Sequence, residues 1–277
     1  MKKAIITTII VLTAFNMHAQ LDGPRTYWAL PKNLNILSAH VINAKVNASV
    51  NNLSFVNPSV TVDNNLYMLT YTRSQPLFGR TFYSTLILPA GNITADVNVG
   101  LPGPVATSNT IFQHGLGDIV WSNTINIIGA KGLMIKDFVR HENPTLVYLQ
   151  AAMTIPTGKY DPNSAINIGS NQFKFKLGAP IVQRIGSWVE GQRTTLELFP
   201  SYYLISNNDD FQGQEIDQKG VFMLEGHLTR DITKKGFLSL DYSYINGGSS
   251  DFISKETGAI TAEQAGQNAQ LKTIWFI

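Results

Sequence analysis

Phe237-Leu238-Ser239-Leu240-Asp241-Tyr242-Ser243-Tyr244 alternates residue by residue. Leu238, Leu240, Tyr242 and Tyr244 share one parity; Ser239, Asp241 and Ser243 share the other. Successive side chains of a β-strand point to opposite faces, so this stretch predicts a strand with one apolar and one polar face. The pattern recurs on both sides of it. In Gln192–Leu204, Leu196, Leu198, Tyr202 and Leu204 oppose Arg193, Thr195, Glu197 and Ser201. In Val221–Asp231, Phe222, Leu224, Gly226 and Leu228 oppose Met223, Glu225, His227 and Thr229. Leu146–Ile155, Phe173–Ile181 and Ile119–Ile127 alternate in the same way. Weaker strands are read at Leu34–Asn43, Leu66–Arg73 and Phe82–Leu88, and a last one at Gln270–Ile277.

Two architectures produce this pattern. A soluble β-sandwich turns its apolar face inward, whereas a membrane barrel turns it outward and encloses the polar face. Alternation alone does not separate them, but lengths do. The best strands run about 9 residues or more, as a tilted bilayer crossing requires, against about 5–6 for common sandwich strands. Connections alternate as well. Arg184–Ser187 and Ile232–Lys235 read as tight turns, Asn207–Lys219 and Asn246–Asn268 as long polar loops, the short-turn, long-loop rule of outer-membrane barrels. Gly129–Asn143 breaks the rule and is expected to contain a small helix or an extra hairpin.

Composition agrees. Only 14% of residues are charged, against about 25% in ordinary soluble domains, so much of the surface is expected not to face water. The chain has no cysteine, which excludes disulfides and thiolate chemistry. Its five histidines, His18, His40, His114, His141 and His227, have no metal-ligand spacing. The net charge of +2 and the lack of clustered Lys and Arg give no footprint for nucleic acid. Lys2 and Lys3, the apolar run Ala4–Phe15 and the small Ala19 before Gln20 compose a secretory signal peptide, residues 1–19, with the barrel domain in 20–277. Tyr202, Tyr203, Tyr242, Tyr244, Trp188 and Trp275 are candidates for interfacial aromatic girdles.

Several motifs then fall in order. Gly115-Leu116-Gly117-Asp118 enters a strand, Pro156-Thr157-Gly158-Lys159-Tyr160-Asp161 leaves one, and Asn167-Ile168-Gly169-Ser170-Asn171 enters the next. Asp241-Tyr242-Ser243-Tyr244 is followed by Asn246-Gly247-Gly248. This arrangement resembles the family named for the MetA pathway of phenol degradation, from about Arg25-Thr26-Tyr27 onward and best over Gly115–Gly248. The resemblance implies an outer-membrane barrel associated with uptake of aromatic or other apolar compounds. It also implies about two strands beyond Ile277, so the chain is either a small closed barrel or a truncated one; the fold class expected is an all-β, antiparallel transmembrane barrel of about 10–12 strands. Gly115, Gly117, Asp118, Pro156, Gly158, Asp161, Gly169 and Asn171 are the family-motif turns. Glycines there permit positive φ, Pro156 suits a strand end, and Asp118 and Asp161 are expected to bind turn amides.

The inward-facing candidates are Lys174, Lys176, Arg193, Glu197, Glu225, His227 and Asp241. They are either a polar lumen that guides solute or the salt-bridged filling of a narrow barrel. Asp209, Asp210, Glu215 and Asp217 crowd one loop, either as hard-cation ligands or as an ordinary solvated loop. No catalytic constellation assembles: Gly-x-Ser-x-Gly is missing, and Gly-Leu-Gly-Asp lacks the remaining spacing of a phosphate loop. The expectation is a channel without catalytic residue, cofactor or metal, exported to the bacterial outer membrane. Its partners would be outer-membrane lipid and lipopolysaccharide, the barrel-assembly machinery and a small apolar or aromatic solute. A non-transport barrel binding through its loops and a secreted sandwich are the alternatives.

Overall fold

The computed structural model describes residues 8–15, 23–49, 58–99, 107–164 and 166–276. In chain order its elements are β1 (Thr8–Phe15), β2 (Asn35–Ser49), β3 (Pro58–Leu77), β4 (Arg80–Val99), β5 (Thr107–Leu116), β6 (Ile119–Ile128), α1 (Ile135–Phe138), β7 (Thr145–Ile155), β8 (Lys174–Gly178) and β9 (Ile181–Ile185). There follow β10 (Thr194–Ile205), β11 (Asn208–Phe211), β12 (Gln214–Gln218), β13 (Val221–Asp231), β14 (Phe237–Gly247), β15 (Ser250–Ser254), β16 (Ile260–Gln264) and β17 (Gln267–Phe276).

The main sheet runs β1-β2-β3-β4-β6-β7-β8-β10-β13-β14-β17. β5 and β6 both pair with β4, and β8 and β9 both lie between β7 and β10, so each couple is one wall strand interrupted midway. Pro180 has no N–H to give the ladder and accounts for the second break. Counted as β2, β3, β4, β5–β6, β7, β8–β9, β10, β13, β14 and β17, the antiparallel wall has ten staves among the described residues. β1 pairs with β2 in parallel. An up-and-down wall reverses direction at each step, so β1 is an addition to its edge rather than a stave. The expected cleavage point, Ala19 to Gln20, lies outside the described residues.

Burial follows the outward-apolar arrangement. Leu149, Leu177, Leu204 and Leu240 are 51–58% exposed, while Thr195, Glu197, Thr229 and Ser239 are fully buried. Leu198 and Leu238 lie on the outer face with Leu240. This is the reverse of a sandwich. The hydrophobic cluster sits in the lumen: Tyr27, Ala130, Leu146, Tyr148, Val182 and Phe199 pack together, with Trp28, Ala29 and Tyr83 against them. Side chains from β4, β7, β9, β10 and the segment before β2 therefore meet in one place, which requires the sheet to curl around that segment.

Three connections differ from expectation, Arg184–Ser187 and the two long loops, while Gly129–Asn143 holds the small helix expected of it. Arg184–Ser187 is part of a longer segment, since β9 ends at Ile185 and β10 begins at Thr194. The extra length lets the Trp188 ring turn to meet Trp28 at 5.3 Å. Gly129–Asn143 holds α1, entered through Gly129 at φ 96°, where a Cβ would lie 1.9 Å from the Thr145 carbonyl oxygen. The two long loops are not irregular. They contribute β11, β12, β15 and β16 to a separate four-stranded sheet. Phe211 against Phe252 is its aromatic contact, too little apolar surface to announce strands in the sequence.

Leu240→Arg is expected to cost about 2–4 kcal/mol, the penalty of a cation on the lipid side of a barrel near the bilayer midplane. Denaturant titration of the protein folded into phospholipid vesicles measures it.

Candidate functional site: the lumen and its plug

Register places the inner residues in rows. Glu197 faces His227, and His227 faces Asp241; one step on, Phe199 faces Glu225, and Glu225 faces Ser243. Toward the Ile232–Gly236 turn the next row is Thr195, Thr229 and Ser239. Adjacent inward positions on paired strands are close enough to interact directly. His227 Nδ1 lies 2.9 Å from Asp241 Oδ1, and the Ser239 hydroxyl donates to the same carboxylate. The Thr195 and Thr229 hydroxyls are 2.6 Å apart. Lys176 Nζ stands 3.9 Å from Glu225 Oε1 and 4.2 Å from the centre of the Phe199 ring.

Glu197, Glu225, His227 and Asp241 are all nearly fully buried, and with Lys176 they form one cluster at mid-height. The other two lumen candidates lie elsewhere. Lys174 is two residues nearer the loop end, in register with Thr154 and Ile205. Arg193 lies at the turn end, where its Nε meets Asp231 Oδ2 at 2.9 Å. It precedes β10 and is drawn down to this acid. Three carboxylates in the central cluster face one lysine and one histidine.

The alternation did not mark the segment before β2, which is what fills this lumen. Arg25 Nη2 reaches Asp231 Oδ1 at 2.5 Å, Arg25 Nε donates to Thr229 Oγ1 at 3.3 Å, and the Arg25 amide donates to Glu197 Oε1 at 3.0 Å. Trp28 Nε1 donates to the same Glu197 oxygen at 3.0 Å. Tyr27, 2% exposed, packs edge-on against Phe199 with ring centres 5.0 Å apart. Arg25 holds φ 67°, a left-handed backbone that costs a non-glycine residue about 1–2 kcal/mol. Such strain persists where surrounding contacts over-determine it, as the four polar contacts of Arg25 and Trp28 do. Residues 25–28 are thus a plug, latched to β10 and β13 by charge-assisted hydrogen bonds.

The family-motif turns gather at the opposite end, as a clasp. Asp118 Oδ1 accepts the Gly158 amide at 2.9 Å; Oδ2 accepts the Ser170 amide at 2.8 Å and its hydroxyl at 2.6 Å. Gly158 and Gly169 are in backbone contact: a Cβ on Gly158 would come within 2.7 Å of Gly169 Cα. A Cβ on Gly115 would crowd Lys159, and one on Gly117 would crowd Pro89. Pro156 directly follows β7. Asp161 Oδ1 accepts the Asn163 amide at 2.9 Å. Asn171, at φ 53°, donates to Asn208, which donates to the Tyr160 hydroxyl at 2.9 Å. Burial of Tyr160 in this clasp holds its phenol above the ordinary range, opposed in part by the Asn208 bond.

The acidic loop does not converge on one point. Glu215 accepts from Asn207, Asp217 pairs with Lys219, and Asp210 pairs with Lys255. Among the described residues no group of three His, Cys, Asp or Glu is placed to hold a metal. The His227–Asp241 pair is not half of a hydrolytic triad, because the hydroxyl that joins it, Ser239, hydrogen-bonds the carboxylate rather than the imidazole.

Residues 45–267 match the family model described as "Putative MetA-pathway of phenol degradation". The match spans β3 to β16 and every motif turn, and begins after Arg25 and the plug. No curated protein matches the chain. Among solved structures, the crystal structure of an outer membrane channel from Pseudomonas putida F1 superposes with a TM-score of 0.67 at 17% identity. It covers 93% of this chain and 100% of that one. At that identity the likeness shows the fold: an outer-membrane β-barrel.

Asp118→Ala leaves three donors without their acceptor and is expected to destabilise the clasp by about 1–3 kcal/mol, read as faster proteolysis between residues 156 and 173 in the folded protein. Arg25→Ala combined with Trp28→Ala removes the three side-chain contacts of the latch and leaves only the residue 25 amide on Glu197, at a similar cost of about 1–3 kcal/mol. The undocked fraction then rises roughly tenfold or more, measured as higher single-channel conductance in planar bilayers.

Proposed function

The chain belongs to the MetA-pathway family of phenol degradation, and on that footing we propose that it is an outer-membrane channel for passive uptake of small apolar or aromatic solutes. The observation that carries the reading is the inverted burial. Leucines cover the outside of a ten-stave wall, and Glu197, Glu225, His227 and Asp241 are enclosed. A barrel this wide holds more than its own side chains, and here the surplus room is taken by residues 25–28. In this reading the Arg25 and Trp28 contacts hold the resting state, and solute passes when the plug swings out toward the turn end. Carboxylates outnumber cations at mid-height, so neutral solutes pass more readily than anionic ones.

The remaining features fit an exported barrel. Residues 1–19 serve as a signal peptide and leave, which accords with β1 being parallel to, and outside, the antiparallel wall. The barrel-assembly machinery inserts the mature chain. Bilayer lipid meets the leucine face, and lipopolysaccharide meets the four-stranded loop sheet. The chain carries solute and does no covalent chemistry. That loop sheet favours one second reading, a barrel that holds a partner outside the membrane and transports nothing.

Liposome swelling decides between the two. Proteoliposomes are expected to swell in isosmotic neutral one-ring solutes, more slowly in the matching sulfonates, and faster when Arg25 and Trp28 are replaced by alanine. Swelling no greater than that of empty liposomes, for both wild type and the plug variant, would leave the partner-binding reading.

A further inference from the structure

The turn end of the barrel carries a patch that the lumen does not use. Its tip is the two-residue link between β3 and β4, Phe78-Gly79, where φ is 51° and 73°. Leu77 pairs with Arg80 across it. This is the tight hairpin turn in which both central residues need positive φ and asparagine or glycine is preferred at the first. A bulky residue held there is strained, and the Phe78 side chain is 90% exposed. Neither backbone nor packing asks for an aromatic ring at this point. The chain returns to the same place after β6. Lys131 bridges Arg80, the Gly132 amide donates to the Gly79 carbonyl at 3.1 Å, and the Thr81 amide donates to the Ala130 carbonyl at 3.3 Å. α1 follows at once. Ile135 and Val139, four apart and both exposed, lie on one side of its single turn. Lys136 and Arg140, also four apart and exposed, lie beside them.

Apolar side chains this open to water are unfavourable until something apolar covers them. Here the patch adjoins the lipid face: Leu77 lines an apolar groove on the outside of the wall with Phe82, Ile125 and Leu149. Its charge is largely of one sign. Arg80, Lys131, Lys136 and Arg140 accompany the apolar residues; Glu142 is taken up by Arg184 at 2.7 Å, and Asp137 is the one other acid in residues 78–80 and 129–144. The whole molecule is polarised the same way. Residues 78–80, 129–144, 186–193 and 232–236 at the turn end hold seven Lys or Arg against three Asp or Glu. Residues 156–173, 206–220 and 248–266 at the loop end hold three against eight. We infer that the patch built from Phe78, α1 and the four cations docks anionic phospholipid headgroups of the leaflet at the turn end. This rests on the membrane-barrel reading and is independent of the solute carried. Phe78, Ile135 and Val139 enter the boundary between headgroups and acyl chains, and the cations meet phosphate. An acidic protein would satisfy the cations equally, but continuity with the lipid-facing wall favours the bilayer.

The test uses the full chain in non-ionic detergent, with bound lipid counted by native mass spectrometry. Dioleoyl phosphatidylglycerol is expected to bind about tenfold or more tighter than dioleoyl phosphatidylcholine. Lys131→Gln, Lys136→Gln and Arg140→Gln together are expected to abolish that preference, and Phe78→Ser to weaken both lipids alike. Lys234→Gln with Lys235→Gln, at the same end but in a different turn, is the control and keeps the preference. Heat-modifiable gel migration establishes that each variant is folded, and the exposed pair Lys136→Gln with Arg140→Gln gives the reading if the triple variant is not. Equal wild-type affinity for the two lipids, or a preference kept by the folded triple variant, overturns the site. An equal loss in the Lys234 and Lys235 control overturns its location. Polyglutamate or glycerol phosphate binding as tightly as phosphatidylglycerol gives the patch to an acidic protein or a free phosphate and overturns the lipid. Swelling in neutral one-ring solutes on the same preparations keeps transport apart: headgroup preference without swelling sinks the channel alone, and swelling without preference sinks the lipid site alone.

Discussion

A backbone that crosses hydrocarbon must satisfy its N–H and C=O groups within the protein, because lipid offers no partner. Everything else in this molecule follows from that constraint. It requires pairing along each stave, and pairing in turn forces alternate side chains to opposite faces. One face then meets acyl chains and the other is enclosed, so the interior inherits the polar half of each strand: Glu197, His227 and Asp241 in one row, Thr195, Thr229 and Ser239 in the next. Burying charges so deep is costly unless they are paired or hydrogen-bonded. The lumen meets that demand with His227 against Asp241, Lys176 near Glu225, and the N-terminal segment against Glu197 and Asp231.

The strands were legible because alternation is a local signal. β10, β13 and β14 could be read from their alternation, and Glu197, Glu225, His227 and Asp241 are buried together near Lys176. Arg193 and Lys174 share the inward parity but not the height, because parity says which face a residue occupies and nothing about depth. Phe199 has the inward parity too, yet its apolar character hid it from a rule that sorts faces by polarity. β5 and the four strands of the loop sheet escaped for lack of apolar partners at alternate positions. The plug was beyond reach in a stronger sense. Arg25, Tyr27 and Trp28 have no period, and their partners lie 169–206 residues away in sequence. One weak clue was present: two bulky aromatics beside an arginine, outside any strand, in a chain with few charges.

The two ends of the barrel are held by different chemistry. At the loop end Asp118 organises backbone amides, and glycines at 158 and 169 let two turns touch. Only the smallest residue fits that contact. At the turn end Asp231 is the organising acid, but it accepts from side chains, Arg25 and Arg193, as well as from the Gly191 amide. A carboxylate that gathers amides makes a fixed joint. One that gathers arginine side chains makes a joint between side chains.

The latch also imposes an order on assembly. Residues 25–28 leave the ribosome before the wall exists, and their acceptors, Glu197, Thr229 and Asp231, are made some two hundred residues later, on β10 and β13. Contacts so remote in sequence form late, after chain closure has been achieved by nearer ones. Residues 25–28 therefore wait for β10 and β13, and the lumen stays unfilled until the staves that bear the acids have registered against their neighbours. Filling of the lumen is in this sense a mark that β10 and β13 are in place.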